Sequence, residues 1–230
     1  MTDPRQAHVQ EGEIELRHHF DDELDDIRTH LVEIGMMVVS NVKHATVVLT
    51  ENRLDEIDAV IEADQFVNDE YNETEAHVFR VLALQQPVAS DLRFLVSATR
   101  ILYEVERSGD LAVNLVKALH RIDGIPTDPG LQSLVGRLGA ESAAMFERGI
   151  EAIATMDPEI GVNADADDEV VDDLTEDLFN LVTDHQDRLG LDVSVALFRI
   201  GRFFERIADH GVNIAQNVTF MVTAVMPEDQ

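Results

Sequence analysis

The stretch FERIADHGVN, Phe204 to Asn213, repeats a pattern that the chain has already written as VERSGDLAVN, Val105 to Asn114. Aligned, both copies read E-R-x-x-D-x-x-V-N. In each, a glutamate and an aspartate stand four residues apart (Glu106 with Asp110, Glu205 with Asp209), and an asparagine follows four further on (Asn114, Asn213). Positions i, i+4 and i+8 share one face of a helix. Two carboxylates at that spacing repel unless a cation or a base stands between them. Gly109 and Ala112 in the first copy, and Ala208 and Gly211 in the second, are small and leave room for a neighbouring helix.

The segments around these copies are helical by pattern. Leu24, Ile27, Leu31, Ile34, Val38, Val42, Ala45 and Leu49 recur every three or four residues, the spacing of an apolar helix seam. Leu54, Ile57, Ile61, Tyr71, Val78 and Leu82 continue a second seam, and Leu92, Leu95, Thr99, Leu102, Val113 and Val116 a third. All six prolines (Pro4, Pro87, Pro126, Pro129, Pro158, Pro227) fall where a helix can begin or end, and no glycine occurs between Gly35 and Gly109. Proline is excluded from helix interiors and glycine weakens them, so long uninterrupted helices are expected. VVLT at Val47 to Thr50 is locally β-prone but ends a strong helical seam.

DGIPTDPG, Asp123 to Gly130, is the strongest linker in the chain. Helical pattern resumes from Leu131 to about Met156, from about Pro158 to His185, and from about Leu191 to Val225. The chain therefore reads as three helices, a linker and three helices, each of roughly 25–35 residues against a globular mean of about 11–12. Because the duplicated motif lies in the last helix of each half, the unit repeated is a three-helix one. The expected fold is all-α, two tandem three-helix bundles (six long helices) related by pseudo-two-fold symmetry. Residues 1–124 form the first repeat and 125–230 the second, with 1–15 expected to be flexible.

Acids interrupt the seams where leucines are expected. The second seam runs Leu54, Ile57, Ile61, Asp64, Asn68, Tyr71, and the third runs Leu102, Glu106, Gly109, Val113. The second helix of each half carries its own pair at four-residue spacing, Asp64 with Asn68 and Asp168 with Asp172. Facing carboxylates from two antiparallel helices form an all-oxygen site, suited to hard or borderline cations such as Mg, Mn, Ca or Fe. Asn68 stands where the second half has Asp172, so the first cluster carries one charge fewer. A simpler account pairs these acids with neighbouring bases: Glu106 with Arg100 or Arg107, and Glu205 with Arg202 or Arg206.

Composition narrows the field. Of 230 residues, 46 are acidic and 17 are Lys or Arg, a formal net charge of −29. Such a surface repels phosphate backbones, which argues against nucleic acid, and favours cations and basic partner surfaces. It is also what adaptation to high salt produces. The absence of cysteine excludes disulfides, thiolate metal sites and cysteine nucleophiles. No apolar signal region opens the chain, and the longest near-continuous apolar stretch, Val218 to Met226, is too short to cross a bilayer, so a cytoplasmic protein is expected.

Other motifs are weaker. DADDEVVDDLTE, Asp165 to Glu176, matches the acidic positions of an EF-hand loop but has Val170 where the turn needs glycine. A ferritin-like di-iron site needs two Glu-x-x-His motifs, and only Glu15 to His18 is found. His210 beside Asp209 is the one histidine next to a motif. No nucleophile elbow, phosphate-cradling glycine loop or dinucleotide fingerprint is present, which argues against an enzyme.

QQPVASDLRFLVSATRILYEVERSGDLAVNLVK, Gln85 to Lys117, and FRIGRFFERIADHGVNIAQNV, Phe198 to Val218, resemble the signature third helices of the two repeats of the PhoU family. The opening helix at His18 (HHFDDELDDIRTHLVEIG) is similar too, and the resemblance covers nearly the whole chain. It implies the two-bundle fold and E/D-x-x-x-D motifs that hold multinuclear metal clusters in some members. Carried over, these are Asp64 with Asn68, Glu106 with Asp110, Asp168 with Asp172, and Glu205 with Asp209, extended by Asn114 and Asn213. Asp91, in the V-A-x-D-L-R element, is a further candidate. Divalent or trivalent ions (Fe, Mn, Mg or Zn) are the implied cofactors. The implied function is non-enzymatic: negative regulation of phosphate uptake and of the phosphate-starvation response. The implied partners are a phosphate ABC transporter, a sensor histidine kinase and a second copy of the chain. The alternative is a metal-binding or storage protein built on the same carboxylates.

Overall fold

The computed structural model describes residues 4–225, with side chains from Arg17 onward except those of 165–168. Asp128 and Asp157 show how helix starts are specified. Each stands just before a proline at the first helical position, and each carboxylate accepts backbone N–H bonds, from Gly130 (3.0 Å) and Leu131 (3.1 Å) and from Glu159 (3.0 Å) respectively. The cap satisfies donors that the first turn cannot pair internally, and proline supplies the helical φ.

Among the described residues the chain forms six long α-helices, one single-turn α-helix and a 3-10 turn at Leu54–Glu56. The helices are α1 (Pro4–Glu51), α2 (Ile57–Gln85), α3 (Ala89–Arg121), α4 (Pro129–Thr155), α5 (Pro158–Asp184), α6 (Gln186–Leu189) and α7 (Leu191–Thr223). No strand occurs among the described residues. At 48 residues α1 is longer than its seam suggested.

α1, α2 and α3 pack on one another, as do α4, α5 and α7. The halves join through α1 on α4 and α3 on α7. Both junctions therefore place a helix against its own equivalent, as two-fold symmetry requires. α2 and α5 form the flanks. Ser108 meets His210 and Glu104 meets Asn213, so residue numbers rise on α7 as they fall on α3: the two helices are antiparallel.

The predicted seam of α1 forms the floor of the core. Ile27, Leu31, Ile34, Val38, Val42, Ala45 and Leu49 are all buried, in one apolar cluster that runs through both halves. Arg17–Glu51 has the length and hydropathy of a membrane span, but this seam is spent on the bundle interior. Leu92, assigned to the α3 seam, is exposed. In the antiparallel register it stands beyond the last turn of α7, and no described residue of that helix covers it. The linker is pinned by Asn52, which exchanges two hydrogen bonds with the Ile125 backbone (2.8 and 3.0 Å).

Candidate metal-binding carboxylate clusters

α2 approaches α3 at Gly109. The Asp64 carboxylate occupies the space where a β-carbon would stand, 2.4 Å from that position. Asp64 is only 6% exposed. Its Oδ2 accepts a bond from Asn68 Nδ2 (3.2 Å), while its buried Oδ1 has no partner. Burial raises the Asp64 pKa, and the nearby Asp110 charge raises it further, against the Asn68 bond and Lys117. Glu106, one turn before Asp110, is raised first by burial and then by Asp110 and Asp64. Asp64, Asn68, Glu106 and Asp110 are thus brought together, with Asn114 half-buried one turn further along α3. Glu106 makes no ion pair with a described residue, so the simpler pairing with Arg100 or Arg107 is not formed.

The second cluster joins α5 to α7. Burial raises Glu205, opposed by Arg202 and reinforced by Asp209 and Asp172. Asp209 is raised by burial, opposed by Arg202 and Arg206 and reinforced by Asp172. Here the simpler pairing does form, since Arg202 ion-pairs with Glu205. Asp172 is exposed. The side chain of Asp168 lies outside the described residues. Asn213 is turned toward α3, where Nδ2 donates to Glu104 at 3.4 Å.

No three described His, Asp or Glu side chains stand close enough to chelate an ion as they are. The chemistry of the first cluster nevertheless fits a hard cation. The donors are all oxygen, three are carboxylates, and a buried carboxylate oxygen lacks any donor. An unpaired buried charge is costly, and a cation would offset that cost.

Two candidates are moved away from the clusters. Asp91 pairs with Arg17 at 3.0 Å, and lies about 22 Å along α3 from Glu106 at 1.5 Å per residue. The EF-hand-like segment lies inside continuous α5, with no loop to wrap an ion.

A further polar group sits where α3 crosses α7. His210 is buried, with Nδ1 2.9 Å from Ser108 Oγ and Nε2 3.7 Å from a Glu104 carboxylate oxygen. Ser108 Oγ donates to the Glu104 carbonyl (2.8 Å), so it accepts from His210 Nδ1–H. Burial, with Arg206 and Arg107, pulls the His210 pKa down to about 4. Burial raises Glu104. The signal for this group was in the aligned repeats. Glu104, Ser108 and His210 align with Phe203, Ile207 and Leu111, so the polar set exists on one side of the pseudo-two-fold and an apolar set on the other.

A family model described as "PhoU domain" matches residues 31–119 and 135–218, one match on each side of the linker. The phosphate-specific transport system accessory protein PhoU homolog 1 of Mycobacterium tuberculosis is 30% identical over 209 residues, covering 90% of this chain and 94% of the relative. The PhoU homolog of Synechocystis is 27% identical, covering 90% of this chain and 92% of the relative. The crystal structure of PhoU from Pseudomonas aeruginosa superposes with a TM-score of 0.83 at 26% identity, over 90% of this chain and all of that one. Two tandem domain matches, an all-helical pseudo-symmetric fold and full-length relatives lead to one conclusion: this chain belongs to the PhoU family.

Proposed function

We propose that this chain is a phosphate-transport accessory protein that represses phosphate uptake and the phosphate-starvation response when phosphate is plentiful. It does so as a non-enzymatic adaptor in the cytoplasm, between a phosphate ABC transporter and a sensor histidine kinase. The observation that carries this reading is the paired match of PhoU domains to both halves, together with relatives, matched over more than nine-tenths of their length, that are named as accessory proteins of phosphate-specific transport.

The chain's own residues supply two physical ingredients. The net charge of −29 steers it toward basic partner surfaces. Asp64, Asn68, Glu106, Asp110 and Asn114 in the first half, and Asp168, Asp172, Glu205, Asp209 and Asn213 in the second, hold the bound metal. Such a cation supplies positive charge that holds α2 to α3, and α5 to α7, against carboxylate repulsion. A homodimer is part of the same reading.

The test is phosphate-responsive gene expression in abundant phosphate, in a strain lacking the chain. Derepression, restored by the intact gene, is the expected result. Normal repression with altered cellular metal content would replace the adaptor with a metal-handling protein on the same fold.

A further inference from the structure

In a chain with 46 acidic and 17 basic side chains, an arginine without a carboxylate partner calls for an explanation. Arg121 and Arg199 line one groove of about 440 Å³ where the end of α3 meets the start of α7, and neither makes an ion pair with a described residue. The last turn of α3 explains part of this, since a base there complements the helix dipole. It does not explain Arg199, more than two turns inside α7, which stacks over Phe203 instead.

The groove is otherwise apolar. Leu191 is 78% exposed and Val195 is 46% exposed, with Ala118 and Ile122 beneath them and Asp192 as the one acid in the lining. The flanking helices carry the opposite bias. α5 carries ten acidic residues and no basic one, and α2 carries seven and one. α3 carries four and five, and α7 three and three. The α3–α7 face thus lacks the strong negative charge of α2 and α5, as does α4 with three acids and two bases.

The exposed stripe is also written twice. Leu191, Val195 and Arg199 recur at four-residue spacing, and so do Leu92, Val96 and Arg100 at the equivalent positions of α3. Leu92, Val96 and Arg100 are exposed as well. Exposed large apolar side chains interleaved with arginine, repeated on the symmetry-related helix, mark a recognition surface.

We infer that the groove formed by Arg121, Leu191, Val195 and Arg199 docks an acidic amphipathic helix of a partner protein. Leucine-type side chains of that helix enter between Leu191, Val195, Ala118 and Ile122. Its carboxylates reach Arg121 and Arg199. A flat anionic membrane is the poorer occupant, because a broad plane of negative charge would meet the acidic flanks of α2 and α5 as well. The assignment rests on the adaptor reading only in taking the occupant to be a protein. It gives the adaptor a second contact, opposite in sign to its acidic flanks, so that two partners are told apart by charge.

The test uses the purified full-length chain and three probes: a 16-residue Glu/Leu amphipathic helical peptide, its Lys/Leu counterpart, and vesicles containing anionic lipid. The Glu/Leu peptide is expected to bind saturably at near-physiological salt. Arg121→Gln with Arg199→Gln, and separately Leu191→Ser, should each weaken it at least tenfold. Arg80→Gln on α2 should leave it unchanged, and the groove variants should leave Lys/Leu binding unchanged. No saturable Glu/Leu binding, or binding indifferent to the groove variants, overturns the inference. So does vesicle binding through these residues without peptide binding. The expression test stands apart: derepression without peptide binding sinks the groove alone, and peptide binding with normal repression sinks the regulatory role alone.

Discussion

Asp64 of α2 lies directly over Gly109 of α3, its Oδ1 2.4 Å from where a β-carbon on Gly109 would stand. Gly109→Ala therefore has an unusual expected sign. Alanine favours the helix by about 1 kcal/mol over glycine, and the group it displaces is the end of a side chain whose buried oxygen has no partner. The metal-free variant should be as stable as the parent or more stable, by up to about 1 kcal/mol. Metal affinity should fall. Urea unfolding in chelator, beside metal titration calorimetry, reads both; a large loss of stability would show that Asp64 cannot move.

Gly211→Val should behave oppositely. A β-carbon there would meet backbone, 2.6 Å from the Met145 carbonyl oxygen and 2.7 Å from the Phe146 α-carbon. Backbone cannot rotate away, so α4 and α7 must separate around the buried Phe146 and Phe204. A loss of about 3 kcal/mol or more is expected. Unfolding midpoints comparable to the parent would mean that the close approach of these helices is not needed.

The carboxylates set a pH dependence whose direction is fixed by burial. Asp64, Glu106, Glu205 and Asp209 all have raised values in the folded chain. The native state thus holds more protons than the unfolded one just above the ordinary carboxylate range of about 4. Stability from this source falls as pH rises through that range and levels off above the folded values. Bound metal, which needs the deprotonated form, should offset the loss. Asp64→Asn should flatten the metal-free profile and gain about 1 kcal/mol near neutrality by removing a buried charge. Thermal melts from pH 4 to 8, with and without Mn, give the comparison.

His210 titrates with the opposite consequence. Its folded value is pulled down to about 4, below the unfolded value of about 6.5. Its contribution is fully present above about 6.5 and is lost as pH falls toward 4. Imidazole NMR in chelator should show His210 still neutral at pH 5.5. His210→Leu, which copies Leu111 of the first repeat, should reduce the acid sensitivity. A normal histidine titration would place His210 in contact with solvent.

Much of the fold was legible because it is periodic. The α1 seam from Ile27 to Leu49 is a straight count of threes and fours, and every member is buried. The Asp128-Pro129 and Asp157-Pro158 caps are equally local. The first carboxylate cluster was legible for the same reason: Glu106 and Asp110 share a face by spacing alone, and Asp64 interrupts a seam that must face inward. Asp91 misled, since membership in the V-A-x-D-L-R element says nothing of its distance from Glu106. Its neighbour across the fold is Arg17, 74 positions away.

By itself the sequence determined the helices, their duplication, and which acids share a helical face, because helix geometry converts spacing into direction within a single element. Only the tertiary structure decided that α3 lies antiparallel on α7, so that His210 finds Ser108. It alone left Leu92 and Leu191 bare, and let Asp64 settle on Gly109. A periodic pattern defines an apolar stripe but not what covers it. That depends on where the neighbouring helix ends and on which two helices approach closely enough to exclude water.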